Sequence, residues 1–109
     1  MKMIDLKKKY LNIVRNILSQ YAFNMIVWAY GSRVNGQSHE GSDLDLVISN
    51  PYDPLLPQEN LNALRAAFNE SELPIAVDIL DWARLPLSFQ NEIKKSYVIL
   101  STNPDKNET

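Results

Sequence analysis

Two short stretches and one isolated acid carry the residue types and spacing for metal-assisted chemistry on phosphates. Gly31-Ser32-Arg33-Val34-Asn35-Gly36 is a small-residue turn, and Ser42-Asp43-Leu44-Asp45-Leu46 follows it after a polar loop. Asp43 and Asp45 alternate with leucines, so in a strand their carboxylates share one face, with Cα atoms roughly 6–7 Å apart. Two unscreened carboxylates about 5 Å apart repel by roughly 3 kcal/mol at an effective dielectric of about 20. A divalent cation resolves the conflict, and Mg²⁺ is commonly held by one or two carboxylates together with substrate phosphates. Asp78 adds a third acid in the otherwise apolar run Leu73-Pro74-Ile75-Ala76-Val77-Asp78-Ile79-Leu80. If that run lies beside the one bearing Asp43 and Asp45, the three acids converge. Two metal ions could then clamp the entering and leaving oxygens of an in-line phosphoryl or nucleotidyl transfer.

Each feature has a plainer reading when taken alone. The Gly31-Ser32 pair could simply end a strand, and Asp-x-Asp could be a turn or a helix cap. Asp78 could pair with Arg65 or Arg84. The leucines between Asp43 and Asp45 disfavour a turn, and the three features together favour a site. His39 reads as a solvated loop residue, and Asp81 as a cap for the element that follows. Trp28 and Trp82 read as core or interface, although Trp82 near a strand end is also placed to stack on a base. Lys7, Lys8 and Lys9 read as a wet helix face. Ser42 can hydrogen-bond beside Asp43.

The positioning elements follow from periodicity. Met25 to Tyr30 is a continuous apolar run of the kind buried on both faces, and Gly31 ends it. Leu44 to Ile48 and Leu73 to Leu80 are two further strands, and Tyr97 to Leu100 is a fourth. Leu6, Tyr10, Ile13, Ile17 and Tyr21 recur at helical spacing and predict an opening helix. Pro57 is read as the start of a second helix with Leu61, Leu64 and Phe68 on its apolar face. Pro86 starts a short helix carrying Phe89 and Ile93. Asn50 to Pro57, with three prolines, is a loop. The expected architecture is α/β, a small mixed β-sheet flanked by helices. Residues 1–101 form one domain, followed by a polar tail, 102–109, read as disordered.

Gly31-Ser32, ten intervening residues, Asp43-Leu44-Asp45 and a later Asp78 resemble the signature of the nucleotidyltransferase superfamily that includes DNA polymerase β and kanamycin nucleotidyltransferase. The small size, the Gly-Ser-Arg start and the Leu73 to Trp82 segment are similar to the minimal nucleotidyltransferases that act beside HEPN-domain partners. The likeness runs from about Leu6 to Leu100. It implies the nucleotidyltransferase fold, with Gly31, Ser32, Arg33 and Ser42 toward the nucleotide. It also implies that Asp43, Asp45 and Asp78 are catalytic and hold Mg²⁺, two ions, with Asp78 helping to activate the attacking hydroxyl. ATP is the implied substrate, and a tyrosine of a helical HEPN-domain toxin the implied acceptor, which would make the chain an antitoxin. Two positions depart from the pattern: Asn35 and Ala76 stand where relatives often carry basic residues. A binding-only antitoxin or regulatory subunit is therefore the alternative reading. Small-molecule nucleotidylation is a third, weakened by the lack of an acceptor-binding domain.

Composition agrees. The 109 residues are 45% hydrophobic, enough for a single core. Eleven basic and thirteen acidic residues give a net charge of −2 without a basic run, which argues against general nucleic-acid binding. The chain has no cysteine, in keeping with a reducing cytoplasm and against a disulfide scaffold or cysteine-ligated zinc. No apolar stretch reaches membrane-spanning length, and the start has no signal-peptide apolar region.

Overall fold

The computed structural model describes residues 3–101, so the expectation for the 102–109 tail lies outside the described residues. Helix α1 (Lys8–Tyr21) leads into β1 (Ile26–Tyr30) and a single-turn helix α2 (Ser32–Asn35). Then come β2 (Leu44–Ser49), α3 (Asn62–Asn69), β3 (Val77–Asp81), a 3₁₀ turn (Trp82–Arg84), α4 (Leu87–Lys95) and β4 (Tyr97–Ser101). The four strands form one sheet in the order β3-β2-β1-β4. β1 runs antiparallel to both β2 and β4, whereas β2 and β3 are parallel. That parallel pair needs a long crossover, and the segment carrying α3 supplies it. The mixed sheet flanked by helices is the architecture expected from the sequence.

Strand alternation sorts the side chains into two layers. Val27 and Ala29 of β1, Leu44, Leu46 and Ile48 of β2, and Ile79 of β3 face α1 and α3, where Val14, Leu18, Leu64 and Phe68 close the main core. The opposite face carries Tyr30, Val47, Trp82 and Ile93, with Trp28, Leu80 and Tyr97 packed against them. Leu46 is fully buried, so truncation to alanine would cost about 2–5 kcal/mol. The buried stripe of α1 is centred on Val14 and Leu18 with Ile17 beside it. Tyr21, expected on that stripe, is exposed at the last position of the helix.

Three boundaries differ from those read in the sequence, each for a hydrogen-bonding reason. β3 starts at Val77 and not Leu73, because its partner β2 starts at Leu44, paired with Val77; the Leu44 N–H donates to the Ala76 carbonyl at 2.9 Å, and nothing regular lies ahead of it. Helix α3 starts at Asn62 and not at Pro57. The Gln58 N–H donates instead to Asp81 Oδ2 at 2.9 Å, and Asn60 Oδ1 accepts from the Asn62 N–H at 2.9 Å in a side-chain turn that opens the helix. The helix face of Leu61, Leu64 and Phe68 is as expected, with all three buried. The short helix α2, read from sequence only as a turn, closes through the Val34 and Asn35 N–H groups donating to the Gly31 carbonyl, both at 3.0 Å.

Candidate active site

The acids owe their meeting to register. Tyr30, the last residue of β1, stands opposite Asp45 of β2, and Asp45 stands beside Asp78 of β3. Tyr30, Asp45 and Asp78 therefore form one row across three strands, on the face away from α1 and α3. Asp43, two residues before Asp45, is exposed at the start of β2. Half-burial lifts the Asp45 carboxyl above its usual 3.8, and the negative charges of Asp78 and then Asp43 lift it further. Burial likewise drives the Tyr30 hydroxyl well above the ordinary phenol range, with Asp45 and Asp78 adding to the effect. Tyr30 thus stays protonated beside the acids at any physiological pH. It is the one member of the row that sequence reading missed, although its position just before Gly31 at a strand end was a usable signal.

Gly31 joins this row to the turn. Its φ of 81° lies where only glycine is at ease. A Cβ built there would also collide with Asp45 Oδ2 and lie 3.3 Å from the carboxylate carbon. Gly31 and the central acid are therefore packed against each other.

Arg33 and Ser42, which the resemblance assigns to the nucleotide side, are engaged in hydrogen bonds within the chain. Arg33 is buried, and its guanidinium donates to four main-chain carbonyls. Nε reaches Ser42 at 2.9 Å, Nη1 reaches Asp5 at 2.8 Å, and Nη2 reaches Glu40 at 3.1 Å and His39 at 3.4 Å. Its cation is spent on holding the loop before Asp43, because carbonyl dipoles converging from two segments can solvate a buried guanidinium. Ser42 Oγ accepts from the His39 N–H at 2.9 Å and closes the same loop. Asp5, which sequence reading did not single out, latches it from the other side. Its N–H donates to the Arg33 carbonyl, and its carboxylate accepts the Ser38 hydroxyl. Nothing local in the sequence marks that contact.

The competing explanations for the acids fall away. Arg84 Nε pairs with Asp81 Oδ2 at 3.0 Å, and Arg65 Nη2 donates to the Ile79 carbonyl at 3.0 Å, so neither is the partner of Asp78. Asp81 caps the 3₁₀ turn, as expected, by accepting from the Ala83 N–H. His39 is an exposed loop residue whose Nδ1 accepts from the Gly41 N–H at 3.2 Å. Among the described residues the ion pairs are Arg84 with Asp81 and Lys95 with Glu92, so no Lys or Arg neutralises Asp43, Asp45 or Asp78. Nor do three acidic or imidazole side chains there close on a single point. The donor set is nonetheless that of a hard divalent cation: carboxylate oxygens, uncompensated negative charge and an open side toward solvent.

The chain is similar to known proteins in sequence and in fold. Residues 12–105 match the family described as Polymerase beta, Nucleotidyltransferase. The chain belongs to this nucleotidyltransferase family. A relative from Haemophilus influenzae, "Probable protein adenylyltransferase MntA", is 43% identical over 99 residues, covering 89% of this chain and 83% of the relative. A solved chain described as "Crystal structure of the toxin-antitoxin with AMP-PNP" shares the fold, with a TM-score of 0.66 at 17% identity, over 88% of this chain and 76% of that one. In this nucleotidyltransferase, the register that sets Asp45 between Tyr30 and Asp78 brings the motif's separate parts into one place. No helix among the described residues is long and apolar enough to cross a membrane.

Proposed function

We propose that this nucleotidyltransferase moves AMP from ATP to a tyrosine hydroxyl of a helical HEPN-domain toxin, and so acts as a cytoplasmic antitoxin. The observation that carries the reading is Asp45, set beside Asp78 and packed against Gly31 at the head of the turn. The name of the Haemophilus relative supports protein adenylylation, and the fold neighbour's printed description supports a toxin–antitoxin setting.

Asp43, Asp45 and Asp78 would hold Mg²⁺, which when bound supplies charge neutralisation at the α-phosphate and the departing pyrophosphate. Gly31 and Ser32 bind the β- and γ-phosphates. Asp78 accepts the proton of the acceptor hydroxyl as its oxygen bonds to the α-phosphorus. The bond from that phosphorus to the bridging oxygen breaks, and pyrophosphate leaves with the electron pair. Alignment of hydroxyl and phosphorus can supply roughly 7–11 kcal/mol of barrier reduction. This chain offers residues for the triphosphate, so the acceptor surface comes from the partner.

A binding-only antitoxin is the second reading, and one observation favours it. Arg33, the cation nearest the turn in sequence, is engaged by carbonyls, while Asn35 and Ala76 add no replacement charge. Co-expression of an Asp43→Ala variant with the partner decides between the two. Catalytic neutralisation predicts a complex whose partner gains no mass and stays toxic. Protection of growth by the variant would establish neutralisation by binding, and failure of the two proteins to associate would remove the toxin–antitoxin reading.

A further inference from the structure

The helix side of the sheet carries a hollow that the acid row does not use. A cavity of about 690 Å³ lies well inside the range for ligand sites, about 300–1,000 Å³. Its walls are the stretch from Asp5 to Lys7 with Tyr10 of α1, the loop from His39 to Gly41, and Pro74-Ile75 ahead of β3, with Arg33 among them. Leu6 and Ile75 pack against the core on the α1 and α3 side, and none of Gly31, Ser32, Asp43, Asp45 and Asp78 lines the cavity. The cavity is therefore separate from the acid site, yet its walls run straight into it. Arg33 follows Ser32, Gly41 comes two residues before Asp43, and Ile75 comes three before Asp78.

The walls carry charge of both signs beside apolar surface. Arg33 is 7% exposed and enters no ion pair among the described residues. Its bonds to carbonyls leave one Nη1 N–H without a partner in the chain. Lys7 is exposed, with Nζ 5.9 Å from the centroid of the Tyr10 ring. The Glu40 side chain is exposed on the loop, and the Asp5 carboxylate accepts the Ser38 hydroxyl. Leu6, Pro74 and Ile75 supply the apolar surface. A lone anion would meet two carboxylates here, and a lone cation two basic groups. A molecule with one charge of each sign finds a partner for both.

We propose that this cavity binds a small zwitterion with an apolar body, a free amino acid or a dipeptide, and that its occupancy tunes the acid site. The ligand carboxylate meets Lys7 and the unspent Nη1 N–H of Arg33, its ammonium meets Glu40, and its apolar part covers Leu6 and Ile75. The tuning rests on the nucleotidyltransferase reading of the acid row. Arg33 ties the Asp5 segment to the loop before Asp43, and the Ala76 carbonyl, which accepts the Leu44 N–H at 2.9 Å, ties the run before Asp78 to β2. A ligand held among these segments favours the placing of Asp43 and Asp78 that fits it. By linkage, a metal and phosphates at the acids change the affinity for that ligand by the same factor.

Chelator-treated protein isolates the cavity from the acids. Calorimetric titration with the twenty amino acids and with leucyl-leucine should show saturable binding of the aliphatic ones, and the tighter of leucine and leucyl-leucine tells which size fits. N-acetylleucine, which lacks the ammonium, and leucinamide, which lacks the carboxylate, should each bind at least about tenfold more weakly, the loss of one charged hydrogen bond. Lys7→Gln should weaken leucine about fivefold and leave leucinamide unchanged, and Glu40→Gln should weaken leucine and leave N-acetylleucine unchanged. Both side chains are exposed, so the variants keep the fold. Binding of none of these compounds, or losses that ignore which charge the ligand carries, would overturn the site. Mg²⁺ with tripolyphosphate, which engages the acids and the turn, tests the tuning. Saturating leucine should change its dissociation constant at least about fivefold, and an unchanged constant overturns the control of the acids. Absence of any tripolyphosphate binding counts against the nucleotide reading instead, because the leucine titration does not involve the acids.

Discussion

The Asp45 carboxylate occupies the space that a side chain on Gly31 would need. Turn and central acid are thus a single packed unit, and a methyl group at Gly31 acts on both. It would force a left-handed backbone on alanine and push Asp45 out of its row. Gly31→Ala should cost about 1–3 kcal/mol in denaturant unfolding. It should also abolish nucleotidyl transfer. Adding Asp45→Ala to that variant should recover part of the lost stability and none of the activity, and a strictly additive pair would show that the two residues do not press on each other.

Burial and the neighbouring charges of Asp78 and Asp43 disfavour the ionised form of Asp45. Its folded pKa lies above the unfolded value, so the folded state binds more protons in the window between them, and metal-free stability falls as pH rises through that window. Asp45→Asn removes this penalty while keeping the shape. In chelator-treated protein the variant should melt higher than the parent at pH 7, and the difference should shrink as pH drops through the carboxylate range. Transfer should fall by at least about a hundredfold in the folded variant.

Cations should relieve the same repulsion. Mg²⁺ with the preferred nucleoside triphosphate at a hundredfold excess over its dissociation constant should stabilise the protein by about 2.7 kcal/mol. Thermal melts with ATP, GTP, CTP and UTP, with and without chelator, measure it. Melts that do not respond to metal with any of the four would contradict a working site.

Arg33 ties the Asp5 carbonyl to those of His39, Glu40 and Ser42. Arg33→Ala should destabilise the fold by about 2–4 kcal/mol, because a buried side chain and its charge-assisted bonds to the Ser42, Asp5 and Glu40 carbonyls are lost together. Asp5→Ala removes only the carboxylate that receives Ser38 and leaves both main-chain bonds to Arg33, so it should cost about 1 kcal/mol or less. Chemical denaturation ranks the two, and amide exchange at Ser42, whose N–H is bonded to His39, reports loosening of the loop before Asp43. The reverse ranking would place the loop's support elsewhere.

The sequence by itself determined the parts of this protein whose signals are local. Period-2 alternation set Leu44, Leu46 and Ile48 against Asp45 and Val47, and helical spacing marked Leu61, Leu64 and Phe68. Gly31 at the end of an apolar run announced a strand followed by a turn. Such patterns survive folding because each depends on the dihedral preferences and burial of neighbouring residues. Tertiary structure decided what joins distant segments. Asp78 comes beside Asp45 only because the crossover through α3 returns β3 parallel to β2, in the register that pairs Leu44 with Val77. Tyr30 enters the acid row through the antiparallel register of β1. Arg33, whose place in the motif suggested phosphate, turns instead to the Asp5 carbonyl, 28 residues away, and to the loop that carries Ser42. A side chain's type limits what it can bind, but the direction of a long flexible cation is set by which carbonyls folding gathers around it.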